Sequence, residues 1–482
     1  MALQPRDMRE IIKQDFPCAV DFLRPSVRCP GRGTGYRFFI FKTRVKKRLS
    51  IVLAVACLAV FLNAQSPGET ENKQSEKAKL LSLGGTYRLR GEIQDGFNIR
   101  TYGTGRHEDC LLSRLRLDFD LGLSANFRIH TQMQDAEAVG LSFSDKDFSG
   151  GNNPYHDAFD INQLYFEWWP IKKVGLKIGR QAISYGDRRV FGPGDWGNTG
   201  RYAWDAVRLE IDEKSFSSHW LVGRFVLHDP DRWPNASAPG PTAYASYNTI
   251  KNLPFLLGVF YVHKYDGRGS IKGEKGAGNV SSYSAGFRID GQGGRWDYSA
   301  MFVGQFGKWG PDIIRAYGLT FSLGYSFASS WKPHLMIQYL LGSGDKNPED
   351  GIHGTFDGLF SGADTVLYGW MNLFFWQNLR EFRVDLVLTS AETLTFRGEY
   401  HHFELDEAKD AWYFPGKAVR RDPTGSSSRF LGHEIDLTVR KKIFGWLEVL
   451  SGFCFFLPGK YAKETGPSPI AKWRFLETTF YF

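Results

Sequence analysis

The sequence is 482 residues long and carries a formal net charge of +8, with 53 glycines, 15% aromatic and 42% hydrophobic residues. The basic excess lies entirely in residues 1–64, which hold 12 Lys and Arg against four Asp and Glu, so the other 418 residues hold 48 of each sign. Charge therefore gives no indication of a nucleic-acid partner. After residue 64 no apolar run approaches the ~20 residues that a membrane helix requires. Apolar and polar residues alternate instead, which is typical of strands.

The N-terminal region has the pattern of an export signal. Two lysines and an arginine precede an apolar stretch at 51–62, which is followed by the small residue Ala64. This order of charge, apolar stretch and small residue is typical of a signal peptide, which we predict at 45–64; a buried helix is the alternative. Because so much sequence precedes it, we interpret 1–44 as a mis-annotated or disordered extension, with translation beginning at Val45.

The rest of the chain is predicted to be a polar periplasmic spacer at 65–82 followed by one barrel at 83–482. No plug domain is expected before the barrel, which disfavours an energised active transporter. After the signal peptide only Cys110 and Cys454 remain, and no CxxC pair is present. Neither a metal site, nor a cofactor, nor a disulfide framework is therefore indicated.

Alternation is clearest at 111–121. Leu115, Leu117 and Phe119 share one face of this segment, whereas arginines and aspartates share the other. Buried in a soluble core, those charges would be costly. In a transmembrane barrel one face meets lipid and the other a polar lumen, so a barrel is favoured.

Marking every alternating run gives 17 strands, but bacterial single-chain barrels have an even number. The parity of inner and outer connections requires one more strand between 229 and 253, and the segment 242–250 fits. We therefore predict an all-β, antiparallel, up-and-down transmembrane barrel of about 18 strands, at 83–93, 111–121, 125–134, 160–168, 173–182, 203–211, 217–228, 242–250, 254–264, 281–290, 295–306, 314–327, 333–341, 379–389, 392–403, 429–440, 446–457 and 472–482.

With this count, the connections on one side are uniformly short, as periplasmic turns are. The longer, outer loops are predicted at 94–110, 135–159, 183–202, 229–241, 265–280, 307–313, 342–378, 404–428 and 458–471. A strand-like apolar run at 366–375 falls within the longest of them. Leu476, Phe480 and the last residue, Phe482, share one face of the last strand, and outer-membrane barrels resemble one another in this ending, which is read by the barrel-assembly machinery.

The densest group of motifs lies at 179–208. It contains Gly179-Arg180-Gln181, Tyr185-Gly186-Asp187-Arg188-Arg189, Asp195-Trp196, Asn198, Arg201 and Asp205-Ala206-Val207-Arg208. This pattern resembles the alginate-export family of outer-membrane porins. The chain departs from the family in having Trp204 where Phe is usual and one extra residue between Arg201 and Trp204. The resemblance implies an 18-stranded barrel in the outer membrane of a Gram-negative bacterium, with an arginine-rich lumen that passes an anionic uronate polysaccharide.

Nine arginines fall on inferred lumen faces or at their ends, and we predict that they form the conduit for a carboxylated solute: Arg88, Arg90, Arg114, Arg116, Arg128, Arg180, Arg208, Arg383 and Arg397. The planar arginine fork matches a carboxylate and stays charged. Interleaved acids are predicted to compensate some of this charge: Glu92, Asp118, Asp120, Glu167, Asp385, Glu399, Glu434 and Asp436. The alternative, that these charges serve only to hold the lumen together, stays open.

The predicted function is export of an anionic, uronate-like polysaccharide or oligosaccharide. The alternative in the same class is a porin for uptake of small organic anions or oligosaccharides. An outer-membrane enzyme is disfavoured because the sequence has no GxSxG motif and no convincing nucleophile–base pair of Ser and His on one strand. The expected partners are outer-membrane lipid, the anionic solute, the barrel-assembly machinery and a periplasmic export scaffold, but no nucleic acid.

Overall fold

The structure is a computed structural model that describes residues 80–200, 203–361, 367–390, 393–414 and 417–482. The predicted extension at 1–44, the signal peptide at 45–64 and most of the spacer at 65–82 lie outside the described residues. The first strand begins at Leu81, slightly before the predicted start of the barrel.

Eighteen strands form the wall in the described part of the chain: β1 (Leu81–Asn98), β2 (Thr101–Ser124), β3 (Phe127–Val139), β4 (Asp157–Ile171), β5 (Val174–Ala182), β6 (Ala203–Asp212), β7 (Phe216–Leu227), β9 (Thr242–Ile250), β10 (Leu256–Gly273), β11 (Gly276–Gly293), β12 (Trp296–Trp309), β13 (Asp312–Ser326), β14 (His334–Gly342), β16 (Leu379–Ser390), β17 (Leu394–Leu405), β20 (Phe430–Phe444), β21 (Leu447–Pro458) and β22 (Ala471–Tyr481). The outer loops contain short elements: β8 (Ala236–Ser237), β15 (Ile352–His353), β18 (Ala411–Phe414), β19 (Lys417–Arg421), a 3-10 turn (Asp145–Phe148) and helix α1 (Lys460–Thr465). No helix among these residues is long and apolar enough to cross a membrane.

Each wall strand pairs antiparallel with the wall strands before and after it, and β1 closes the barrel on β22. The strand that parity required at 242–250 is β9, which pairs with β7 and β10 as predicted. The closed, 18-stranded, antiparallel barrel is thus confirmed.

Alternation along the strands decides which side chains face lipid. Large apolar residues such as Phe119, Phe302 and Phe453 are exposed on the outside of the wall. Their neighbours in sequence point inward, and many of these polar residues are buried; Gln134 and Glu381, for example, are fully inaccessible. Burial of these inward polar groups shows that part of the lumen is filled.

The closing seam between β1 and β22 is tightly packed. Gly85 exchanges backbone hydrogen bonds with Phe482, at 2.8 and 3.1 Å. A Cβ atom at Gly85 would lie 2.4 Å from the Arg116 carbonyl oxygen and 2.7 Å from the Phe482 ring. Tyr87 and Leu115 pack beside the same ring. Only glycine fits at this point of the seam.

The inner turns are short, as predicted; the turn between β2 and β3, for example, spans two residues. On the outer side, three predicted loops are corrected. The segments 94–110, 265–280 and 307–313 are mostly strand, because β1–β2, β10–β11 and β12–β13 continue as hairpins that turn at 99–100, 274–275 and 310–311. Apolar alternation marks only the part of a strand that meets lipid, so the sequence pattern stops before the hairpin does.

Candidate functional site

Two outer loops fold into the barrel and contact lumen-facing side chains. The first, loop A, spans residues 183–200 after β5. Arg189 of loop A donates to Gln338 on β14, on the opposite side of the barrel, at 3.0 Å. Asp187 of the same loop pairs with Arg288 on β11 at 2.7 Å. Loop A therefore crosses the lumen.

Arginines of β1 and β2 hold the middle of loop A by its backbone. Arg88 donates to the carbonyl oxygens of Asp195 and Gly197, at 3.1 and 2.9 Å. Arg114 donates to the same two carbonyls, at 3.0 and 3.2 Å. Since buried carbonyls need partners, these two arginines satisfy a stretch of loop that no strand pairs with.

The Asp195 side chain completes this attachment. Its carboxylate lies 2.8 Å from Arg116 and 3.4 Å from Arg114. The Arg116 guanidinium holds the pKa of Asp195 well below its usual range, with further contributions from Arg114 and Arg88. Asp195 therefore stays charged at any pH that the outer membrane meets.

Arg90 joins the same group of charges. It pairs with Glu92 at 2.6 Å and Glu477 at 3.2 Å, and donates to the Trp196 carbonyl oxygen at 2.7 Å. Its guanidinium also lies 4.0 Å from the centre of the Trp196 ring. Four arginines of β1 and β2 thus face three carboxylates, of Glu92, Asp195 and Glu477, and the group keeps a positive excess.

The second loop, loop B, spans 343–378, of which 362–366 lie outside the described residues. Carboxylates of β17 and β20 hold it by its N–H groups. The Trp370 indole donates to Glu399 at 2.6 Å and its backbone N–H to Asp436 at 3.2 Å. The Met371 N–H donates to Glu434 at 2.9 Å. These three predicted lumen acids are therefore bound to loop B.

Aromatic side chains join the two loops. Trp196 of loop A meets Trp370 of loop B edge to face, with ring centroids 5.1 Å apart. Trp473 and Phe475 of β22 pack on Trp196 at 5.7 and 4.9 Å. We call these four residues the lumen aromatic cluster. The described part of the strand-like run, residues 367–375, packs inside the lumen, which explains its apolar character.

Comparison with known proteins agrees with this architecture. The model of the family described as Alginate export matches residues 79–472. The chain belongs to the alginate-export family. Comparison with curated protein sequences gives no match.

Solved structures show a similar barrel. OpdQ from Pseudomonas aeruginosa superposes with a TM-score of 0.57 at 10% identity, covering 85% of this chain and 99% of that one. OccAB3 from Acinetobacter baumannii gives 0.57 at 10% identity, with 83% and 99% covered. OccK11 (OpdR) from P. aeruginosa gives 0.53 at 11% identity, with 83% and 95% covered. At such identities the likeness shows the fold alone. Family and fold together make this alginate-export protein an outer-membrane channel and not an enzyme.

Other predicted conduit residues lie on lumen faces in separate networks. Arg383 and Arg397 face the lumen from β16 and β17 and share Asp385 and Glu399 as partners. Arg397 keeps more than a third of its side chain exposed, whereas Arg383 is buried. This network adjoins loop B through Glu399.

A further group of predicted charges lies on β2 to β6. Arg128 pairs with Glu167 at 2.7 Å, with half of its side chain exposed. Arg208 bonds to Glu210 at 2.6 Å. Gln132 donates to Asp118 at 2.7 Å, and Asp120 contacts His130 at 3.0 Å. These residues face the lumen without contact to the middle of loop A.

The predicted position of Arg180 on the lumen face is corrected by the structure. It aligns across the sheet with Leu164 and Asp205, and Leu164 is exposed on the outside of the wall. Arg180 therefore faces outward, and its Nε and Nη2 atoms donate to Asp205 at 2.8 and 3.1 Å. Strict alternation from Leu176 and Ile178 already indicates this face, because side chains alternate along a strand.

Sequence reasoning missed the residues that position the two loops. Trp196 and Asn198 stood within the quoted motif without an assigned role. Trp370 lay in the run at 366–375, whose apolar character signalled burial. Glu477, which pairs with Arg90, carried a detectable signal because it is a charge on the inward face of β22.

Proposed function

We propose that this channel passes an anionic, uronate-like polysaccharide or oligosaccharide, in the export direction. The observation that carries the proposal is the group of Arg88, Arg90, Arg114 and Arg116 beside the lumen aromatic cluster. It places an excess of positive charge where the two loops meet.

Arginine suits this solute for two reasons. Its planar fork matches a carboxylate, and it remains charged at all relevant pH values. Each arginine here is partly compensated by a nearby carboxylate. A solute is then bound weakly at several positions, which lets it enter and leave. The family description, Alginate export, supports both the uronate and the direction.

Uptake of small organic anions or oligosaccharides is the second candidate. Loops A and B favour it, because their packed aromatic residues fill part of the lumen that a thick polymer would need. Trp376 and Phe356, for example, are fully buried there.

Current recordings in planar bilayers test which solute the channel binds. Across a salt gradient, the reversal potential of the purified channel should show that it prefers anions. Oligouronates added to either side should reduce its current. Neutral oligosaccharides of equal length should reduce it less. A cation-preferring pore that both sugars block equally would refute the proposal.

A deletion strain tests the direction. Loss of an exporter should leave uronate polymer in the periplasm and remove it from the medium. Loss of an uptake porin should slow growth on oligouronate while polymer secretion stays normal. The same strain carrying the wild-type gene on a plasmid is the control.

A further inference from the structure

A cavity of about 250 Å³ adjoins the lumen aromatic cluster, toward the outer end of β1. Its lining includes Trp196, Trp370 and Trp473, together with Asn198 and Arg100. Sites for drug-sized ligands occupy ~300–1,000 Å³. The cavity is therefore of a size for one small polar molecule with a face for aromatic contact.

Arg100 supplies a cation at this cavity. Its guanidinium lies over the rings of Phe148 and Phe143, at 4.7 and 5.5 Å. None of the described residues forms an ion pair or hydrogen bond with the Arg100 side chain. Arg90 also borders the cavity but is engaged by Glu92 and Glu477. Arg100 is thus the cation that can accept a new carboxylate.

Two buried polar atoms at the cavity have no hydrogen-bond partner among the described residues. Asn198 is 1% exposed, and its Nδ2 donates to the carbonyl oxygens of Ser113, Glu137 and Tyr155, which fixes the amide and leaves Oδ1 unpaired. Trp473 is 4% exposed and its Nε1 is unpaired. A buried polar atom without a partner is costly. One acceptor and one donor beside the cavity are therefore left for the hydroxyl groups of a ligand, and because both atoms are fully buried, a small shift of the lining side chains has to expose them.

Glu92 is the carboxylate that would oppose an anion in this cavity. Its two oxygens are engaged by Arg90 at 2.6 Å and by Gln94 at 2.8 Å. Its charge is therefore already compensated.

We infer that this cavity is a binding subsite for one carboxylated pyranose ring. Arg100 holds the carboxylate, Asn198 Oδ1 and Trp473 Nε1 bond to hydroxyl groups, and the tryptophans contact the ring. The choice of a uronate rests on the proposed function; the cavity and its unpaired groups do not. A uronate ring would stop here after it has passed the aromatic cluster during export, or before it passes the cluster during uptake.

Isothermal titration of the detergent-purified channel tests the subsite, with glucuronate, glucose and sodium sulfate as probes. Glucuronate should bind saturably at one site, at least about ten-fold more tightly than glucose, a factor that corresponds to ~1.4 kcal/mol. Arg100→Gln should remove this preference and leave glucose binding unchanged. Trp473→Phe, which keeps the ring and deletes the donor, should weaken both sugars. Arg295→Gln, which removes an exposed arginine from the inner turn before β12, at the other end of the barrel, is the matched control.

Two results would overturn the inference: unchanged glucuronate affinity in Arg100→Gln, or sulfate competing as well as glucuronate, which would mean a general anion site. Bilayer recordings separate this test from the proposed function. If oligouronates block the current but Arg100→Gln binds glucuronate normally, the subsite fails and the channel function stands. If glucuronate binds through Arg100 but the pore neither prefers anions nor is blocked by oligouronates, the subsite stands and the transport proposal fails.

Discussion

Trp196 and Trp370, from two different loops, meet edge to face inside the barrel with their rings inclined by 85°. Their loops are attached in opposite ways. Arginines of β1 and β2 bind carbonyl oxygens of loop A, whereas carboxylates of β17 and β20 bind N–H groups of loop B. Charged side chains on both walls thus satisfy backbone groups that have left the sheet. Part of the lumen charge therefore holds the loops in place.

The contact between the loops predicts the effect of Trp370→Ala. Truncating a buried Trp costs about 3–5 kcal/mol. Because the barrel wall is unchanged, this loss destabilises the docked position of loop B and not the barrel itself. Single-channel conductance should rise and its fluctuations should increase. Trp296→Ala removes an exposed tryptophan from the outside of β12 and should leave conductance unchanged. Normal conductance in the Trp370 variant would show that loop B docks without this contact.

The closing seam predicts that Gly85→Ala destabilises the barrel. The added methyl group meets the Arg116 carbonyl oxygen and the Phe482 ring, and such overpacking costs about 1–3 kcal/mol. The temperature at which the folded band disappears on a heat-modification gel should fall. Gly445→Ala is the matched control, because its Cβ would meet no atom within 4 Å. An equal effect of the two substitutions would contradict the seam argument.

The barrel could be predicted from the sequence because lipid imposes a simple rule on every strand. Alternation located the wall strands, and parity found β9, whose pattern is weak. The same alternation put Arg88, Arg90, Arg114 and Arg116 on the lumen face. Arg180 is the exception, because it aligns with the outward-facing Leu164 of β4.

The paths of loops A and B could not be predicted in this way. Whether a loop stays outside or folds inward depends on contacts between residues far apart in sequence, such as Arg189 with Gln338 and Asp187 with Arg288. No local pattern encodes such a contact. The sequence did show that loop B is unusually apolar at 366–375, and burial of the described residues 367–375 in the lumen is the physical reason.

The outer hairpin turn at 274–275 predicts surface access. An epitope inserted after Glu274 should be labelled by antibody on intact cells, because β10 and β11 extend beyond the outer end of the wall. An epitope inserted after Gly294, in the short inner turn before β12, should be labelled only after the outer membrane is permeabilised. Labelling of the Gly294 insertion on intact cells would show that the outer and inner ends of the barrel are assigned the wrong way round.

The same turn predicts a pH dependence. Burial, aided by the Asp345 and Asp312 carboxylates, raises the pKa of Glu274 from 4.5 to about 7. Glu274 also accepts a hydrogen bond from the Gly351 N–H of loop B at 2.6 Å. That hydrogen bond favours the charged carboxylate, but burial outweighs it. Since the folded-state pKa is the higher one, the stability that protonated Glu274 contributes is fully present below pH 4.5 and is lost as pH rises through about 7.

Hydrogen exchange of the peptide around Glu274 and Gly351 should therefore be slower at pH 5 than at pH 8, after correction for the intrinsic rate. Glu274→Gln should remove the difference, because it stays neutral and keeps the acceptor. A pH dependence that persists in Glu274→Gln would assign the titration to another group.

The arginines that bind loop A predict that Arg114→Gln/Arg116→Gln changes conductance as well as selectivity. Charge-assisted hydrogen bonds contribute about 1.5–3 kcal/mol each, so losing both arginines leaves the Asp195 carboxylate and the Gly197 carbonyl poorly satisfied. Loop A should then leave the lumen part of the time, and mean conductance should rise. Anion preference should fall too, since Asp118 and Asp120 remain on β2, and added salt should reduce this second effect by screening.

Arg128→Gln/Arg440→Gln is the matched control for this double variant. It also removes two lumen charges, but Arg128 pairs with Glu167 and Arg440 with Glu448, outside both loops. It should lower anion preference without raising conductance. If instead both double variants change selectivity alike and neither changes conductance, loop A is held by its other contacts, such as Arg189 with Gln338, and the β1–β2 arginines act on the solute and not on the loop.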